Sequence, residues 1–408
     1  MATPGLLLLG YWVVHWSRLV ASMDIRPFSF YERLLTEPRI LAEYLALIFF
    51  PVRNLLGPFH DDYPFSHALL DPPATLYCLL GWLALIAFAL AKRRRFPWLA
   101  FAVGWFLVGH LLESTFFNLE LYFEHRNYLP SVGPLAALCI LLWRLPNGRR
   151  GLGMMAFGVY LGLHAFVLHE LTTIWGQPRL AAELWLDEHP ASERARQQLS
   201  QQYIQRGEGD VALKILREGY VLNPKLTGLA LQSLVMSCYH DEDITPEIRA
   251  ILPTLREGER SYAGLTALTK LKEKLSDKPC PGLNAETMHL LLDAMLVNPK
   301  LQVDKASLAE LHKLKAGLYA KAAELDPTIQ HLETAFEAEP DIDVAMLIIY
   351  YLNTAGLYEV ALTKIPMFRS RAPFVSILKE QWNRQLDQME TNTVARIDAK
   401  SRDAATKK

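Results

Sequence analysis

The chain lacks an excess of charge of either sign: 42 lysines and arginines stand against 43 aspartates and glutamates, a formal net charge of -1. A nucleic-acid footprint needs a basic surplus, so no nucleic-acid partner is expected. Cysteine is scarce, with 4 in 408 residues, and no two of them form a CxxC pair. There is no glycine-rich phosphate loop, no HExxH and no Ser-His-Asp arrangement. Nucleotide enzymes and hydrolases of familiar type are thereby disfavoured, and no complete catalytic motif stands in the chain.

What the chain does have is long apolar runs, all of them in its first 170 residues, whereas residues 176 to 408 carry charges throughout. Residues 74 to 91, 96 to 112, 128 to 144 and 151 to 169 each approach the roughly 20 apolar residues that cross about 30 Å of hydrocarbon. A shorter stretch, 5 to 16, lacks the basic start and small-residue cleavage site of a signal peptide and reads as the tail of a longer span. Residues 39 to 56, RILAEYLALIFFPVRNLL, are apolar but broken by Pro51 and flanked by Arg39 and Arg53. They read as a helix lying in the membrane interface. Histidines 15, 110, 164 and 169, within or at the ends of spans, read as packing residues.

The expected fold is therefore all-α: a polytopic helical membrane domain over residues 1 to 170, followed by a helical domain over 176 to 390 and a polar tail over 391 to 408. Orientation follows from the short basic loops. Lys92 to Arg95 form one, and Arg144, Arg149 and Arg150 form the other. Two spans separate them, so both lie on the cytoplasmic side. Residues 17 to 73, residues 113 to 127 and everything after His169 are then expected outside the cytoplasm.

Self-similarity begins after residue 190. Leu199, Ser200, Tyr203, Gly207, Ala212, Leu216, Gly219 and Pro224 fall on the tetratricopeptide grid of large and small residues, turn glycine and closing proline, with Arg196 at the position usually held by tryptophan. The grid returns at Ala316, Tyr319, Leu332, Ala335 and Pro340, and again at Gly356, Tyr358, Ala361 and Pro373. Gly282, Ala294 and Pro299 suggest a degenerate unit between them, and Pro366 should kink the last helix. Stacked hairpins of this kind form a solenoid whose concave face takes protein partners.

Two loops hold the residues that could carry chemistry. The first, GPFHDDYPFSHALLDPP, supplies His60, Asp61, Asp62, His67 and Asp71. Adjacent carboxylates beside imidazoles suit a general base or a divalent cation, although the spacing matches no defined metal motif. Asp71, just ahead of Pro72 and Pro73, reads as a helix cap. The second loop, residues 110 to 130, supplies Glu113, Glu120, Glu124, His125, Arg126 and Tyr128 next to a span, where ionisable groups are costly unless they act. Arg126 suits a lipid phosphate or an internal bridge to Glu113 or Glu124. Tyr122, Phe123 and Tyr128 suit the aromatic belt. Cys78 and Cys139, inside spans, read as core residues. Cys238 and Cys280 are candidates for a disulfide if their half of the chain lies in an oxidising compartment.

Taken together, FSFYERLLTEPRILAEYLALIFFP, HDDYPFSHALLDPP and YFEHRNYLPSVGP, followed by a last span and repeats, resemble the C-terminal part of bacterial GT-C-like membrane proteins. These are relatives of the transmembrane and tetratricopeptide-repeat O-mannosyltransferases, and the segment from Glu124 to Ser131 carries the most specific match. The resemblance implies a polyprenyl-phosphate-linked sugar as donor, a protein acceptor, and a bacterial inner-membrane location with the repeats in the periplasm. It makes Arg126, His125 and Tyr128 the lipid-phosphate side of a site, with Asp61, Asp62 and Glu124 as candidate catalytic carboxylates and His60, Asp61 and Asp62 as candidate metal ligands. Family members hold their acidic base in a loop between earlier spans, so this chain is expected to lack the catalytic N-terminal portion. The alternative is a non-enzymatic membrane-anchored scaffold for envelope assembly.

Overall fold

The structure, a computed structural model, describes residues 23, 26–52, 56–115 and 117–406. The expected short span at 5 to 16, and His15 with it, lie outside the described residues. The protein is all-helical, and no strand occurs among the described residues. It divides into two compact units, Met1–Asn223 and Pro224–Lys408. The boundary between these units follows the first repeat-like hairpin.

In the first unit, α1 (Phe30–Phe49) opens on a capping box. Ser29 accepts from the Glu32 amide at 3.2 Å while Glu32 accepts from the Ser29 amide at 2.7 Å. This start signal, and not the apolar run from residue 39, sets where the helix begins, and the helix ends ahead of Pro51. α2 (Ala74–Ala91), α3 (Pro97–His110), α4 (Val132–Trp143) and α5 (Asn147–Trp175) follow. Two of them, α2 and α5, are long and apolar enough to cross a membrane. α3 has 14 residues and α4 has 12, which at 1.5 Å per residue reach only about 21 and 18 Å. Leu80, Met154, Val159 and Phe166 stand exposed on the two long helices.

Small residues set how closely α3 and α4 approach. A Cβ on Gly133 would come within 2.8 Å of the Ala102 carbonyl, and one on Gly109 within 2.8 Å of Pro130. α1 packs Ile40 and Tyr44 against Trp82 and Phe106, and Trp82 Nε1 donates to the Pro38 carbonyl at 3.0 Å. No Asp71 cap is formed: α2 starts at Ala74 behind Pro73 without a side-chain bond, and the Asp71 carbonyl accepts from the His67 amide at 2.9 Å. The unit closes with α6 (Pro178–Glu188), α7 (Glu193–Ile204) and α8 (Gly209–Leu222).

The second unit is a run of helices: α9 (Thr227–Tyr239), α10 (Thr245–Glu257), α11 (Tyr262–Asp277), α12 (Ala285–Leu296), the single turn α13 (Pro299–Gln302), α14 (Lys305–Lys321), α15 (Leu325–Ala338), α16 (Ile342–Thr354), α17 (Tyr358–Ser370) and α18 (Ser376–Thr406). Its C-terminal core joins Leu332, Ala335 and Phe336 of α15 to Ile348, Phe368, Trp382 and Leu386. Pro299 opens α13 at its first turn instead of closing a hairpin, and Pro366 sits inside α17. The expected polar tail is helical to Thr406. Thr393 is buried there and accepts from Asn353 Nδ2 at 2.8 Å. One buried stripe in a polar helix was too sparse to read from composition.

Four helix ends share one geometry. Gly207, Asp241, Ala323 and Gly356 have φ of 77°, 55°, 59° and 75°. In each case the following amide bonds the carbonyl five residues back, at 2.9 to 3.1 Å. Gly207, Ala323 and Gly356 each stand 17 positions ahead of a proline, Pro224, Pro340 and Pro373. Ala323 thus occupies a left-handed turn position that glycine holds in the other two. Ala323→Gly should raise stability by about 0.5–1 kcal/mol, since relief of left-handed strain outweighs the added chain entropy. Gly207→Ala, with open space around its would-be Cβ, should cost a similar amount. Urea midpoints of the two variants check both signs.

Candidate functional site

The two loops singled out in the sequence meet over α1. Glu124 begins a short 3-10 turn, Glu124–Asn127. Its Oε1 accepts from the Gly57 amide at 3.0 Å and pairs with His60 Nε2 at 2.6 Å. The His60 ring packs 4.2 Å from Tyr122 and 5.0 Å, edge-on, from His189. Among the described residues the buried Tyr122 hydroxyl has no hydrogen-bond partner. Next to it, Tyr63 donates its hydroxyl proton to Glu43 at 2.7 Å, and burial raises the Glu43 carboxyl above its ordinary range.

Asp61 and Asp62 point away from His60, toward the helices that follow α5. Asp61 Oδ1 accepts from Ser192 Oγ at 2.6 Å, and Ser192 is the residue that caps α7 by accepting from the Ala195 amide at 3.0 Å. Asp62 Oδ1 meets His189 Nδ1 at 2.9 Å. Arg194 completes the seam, pairing with Glu120 at 2.8 Å and lying over Phe59 at 5.6 Å. Beside it, Phe59 packs edge-on against Trp185 of α6 at 5.6 Å.

Beneath this seam lies a buried charged layer. Arg33 of α1 is fully buried; it donates to the carbonyls of Leu119 and Glu113 and pairs with Glu37 at 3.4 Å. Burial pushes the Glu37 carboxyl up to about 7, against the pull of Arg33 and a bond from Ser114. Arg126 pairs with Glu113 at 3.2 Å, donates to the Glu120 carbonyl at 2.7 Å and lies over Phe123 at 5.4 Å. Tyr44 accepts from the Phe123 amide at 2.5 Å and stacks on His110, whose Nε2 lies 3.1 Å from Asn127 Oδ1.

Of the sequence candidates, Glu124 and His60 are brought together. Asp61 and Asp62 are instead engaged by Ser192, at the cap of α7, and by His189. Arg126 is turned inward, its side chain 7% exposed, so the outward-facing groups of that segment are His125 and Tyr128, the latter 88% exposed. His60, Asp61 and Asp62 face separate partners, and no three histidine, cysteine or acidic side chains gather as a metal cage among the described residues. Sequence reading missed Arg33, Glu37, His189, Ser192 and Arg194. The signal for the first two was present: an i, i+4 pair of opposite charges in the first half of α1, ahead of its apolar run.

The Asp62–His189 pair makes a pH prediction. Its hydrogen bond to Asp62 raises the His189 imidazole above 6.5. A raised imidazole contributes stability that is fully present below the unfolded value and is lost as pH rises through the folded one. Melting of the full chain should therefore show a decline as pH rises above 6.5 that Asp62→Asn removes. An unchanged profile in the variant would show that the pair does not bind in solution as it does here.

In the second unit Cys238 of α9 and Cys280, in the turn before α12, are joined as a disulfide with Cα atoms 5.2 Å apart. Cys78 and Cys139 are free. No protein-family model matches the chain, and no curated protein matches it either.

Proposed function

We propose that the chain belongs to a multi-pass protein of the bacterial inner membrane, of the GT-C glycosyltransferase type, that works on a polyprenyl-phosphate-linked sugar and uses periplasmic tetratricopeptide-like repeats to present or recruit a protein acceptor. The observation that carries this reading is the seam in the first unit. Asp61–Ser192, Asp62–His189 and Arg194–Glu120 tie the two polar loops to the first repeat-like hairpin. A transferase that joins a lipid-held donor to a protein must hold both in one geometry, and a link between the donor loop and the first repeat-like hairpin serves that need.

Further support comes from α2 and α5 as candidate spans, from the apolar α3 and α4 between two basic loops, and from the recurring left-handed turn ahead of a proline. On this reading, Arg126 positions the loop from inside while His125 and Tyr128, at the head of α4, form the face offered to a lipid phosphate. The second reading, a membrane-anchored scaffold without catalysis of its own, is favoured by the engagement of Asp61 and Asp62 in structural contacts.

Native mass spectrometry of the protein released from its own membrane separates the two. The transferase reading expects retained polyprenyl phosphate on the intact chain, lost in His125→Ala/Tyr128→Ala with melting unchanged. A protein that never carries the lipid, or a double variant that keeps it, leaves the scaffold.

A further inference from the structure

Three histidines lie where α12, α14 and α15 meet. His312 Nδ1 and His331 Nδ1 are 2.8 Å apart. The His331 ring stacks on Tyr319 with centroids 5.5 Å apart and planes 8° apart, and His289 packs on the same tyrosine at 4.7 Å. The His289 Nδ1 is buried and has no hydrogen-bond partner among the described residues.

A nitrogen-nitrogen contact of this length needs one ring to donate an N–H and the other to offer a lone pair. The pair can be neutral, or can carry one extra proton on the far nitrogen of the donor. Protonating both facing nitrogens sets two N–H groups against each other. A shared zinc ion is a poorer account, because two imidazoles on one tetrahedral zinc hold their nitrogens about 3.3 Å apart, and no third ligand joins them among the described residues.

The surroundings oppose added charge. Lys315 of α14 pairs with Asp293 of α12, and Lys272 of α11 reaches in beside Gly317. The other acidic groups here are also committed: Glu310 to Lys313, Glu333 of α15 to Lys364 of α17, and Glu259 to Lys300 of α13. Glu324, at the start of α15, acts on His289. Of the titratable residues of α16, Tyr351 packs onto the apolar core it shares with α15.

We propose that the His312–His331 contact is an acid-opened latch between α14 and α15, closed at neutral pH and forced apart when the second imidazole takes a proton. Burial and the Lys315 ammonium hold both imidazoles below 6.5, His331 at about 4. Neutral histidines of this kind contribute stability that is fully present above 6.5 and is lost as pH falls toward 4. In the periplasmic placement proposed above, on which only its physiological setting rests, the latch would meet the pH of the medium.

Hydrogen exchange of the full chain in detergent tests the latch without reference to orientation. Between pH 7.5 and 5.5, protection factors in α14 and α15 should fall about tenfold, while those in α9 and α10 change less than about twofold. His331→Phe, which keeps the stack on Tyr319, and His312→Gln should each hold neutral-pH protection and cut the acid loss to below about threefold. The latch is overturned if the native chain shows no acid loss, or if a folded variant opens as the native does. It is also overturned if EDTA opens the hairpin at pH 7.5, which would reveal a metal clip instead.

Discussion

Replacing Cys238 and Cys280 together by alanine should lower the stability of the second unit by about 4 kcal/mol, the loop-closure value for a bridge across 42 residues. For a unit of this size that is a fall of about 10 °C in melting temperature. Both cysteines are buried, at 0% and 4% exposure, so alanine leaves no stranded polar group and the chain-entropy effect dominates. The bridge spans α10 and α11, so hydrogen exchange in those helices should report the loss first. Dithiothreitol should reproduce the shift in the native chain and add nothing to the double variant. An equal response to reductant in both would mean the bond does not form in the mature protein.

Arg33→Met should cost about 3–5 kcal/mol, the usual penalty for leaving a buried charge without its partner. Arg33 is fully buried and Glu37 is 4% exposed, and the carbonyls of Leu119 and Glu113 lose their donor as well. The loss should depend on pH. Because the folded value of Glu37 stands near 7 against 4.5 ordinarily, its contribution is fully present below 4.5 and is lost as pH rises through 7. Without Arg33 to favour the charged form, the loss deepens at neutral and alkaline pH. Arg33→Met/Glu37→Leu should recover more than half of the penalty, since a neutral, well-filled pair replaces a broken ionic one. Detergent-phase melts at pH 5 and 8 read both effects, and a double variant no better than the single would show that the carbonyl contacts, not the charge, set the cost.

The helical class and the outlines of α2 and α7 were legible because they depend on local signals: apolar run length, the spacing of small residues, and the turn glycines at 207 and 356. The start of α1 was legible too, in Ser29 and Glu32, but an apolar run ten residues later drew attention from it. Ala323 shows the limit of such signals. Its left-handed turn is imposed by the packing of α14 on α15, and alanine carries no mark of it.

The sequence by itself determined that the chain is helical, that its apolar runs lie in its first 170 residues, and that Cys238 and Cys280 are the pair available for a bridge. Only the tertiary structure decided what the polar groups do. Asp61 and Asp62 looked like reactive carboxylates because nothing local satisfies them. Their partners, Ser192 and His189, lie 131 and 127 residues away. Arg126 likewise turns inward to Glu113, and His312 finds His331 only because two helices lie side by side. A charge is satisfied by whichever group folding brings within about 3 Å, and that distance is not written in the order of the residues.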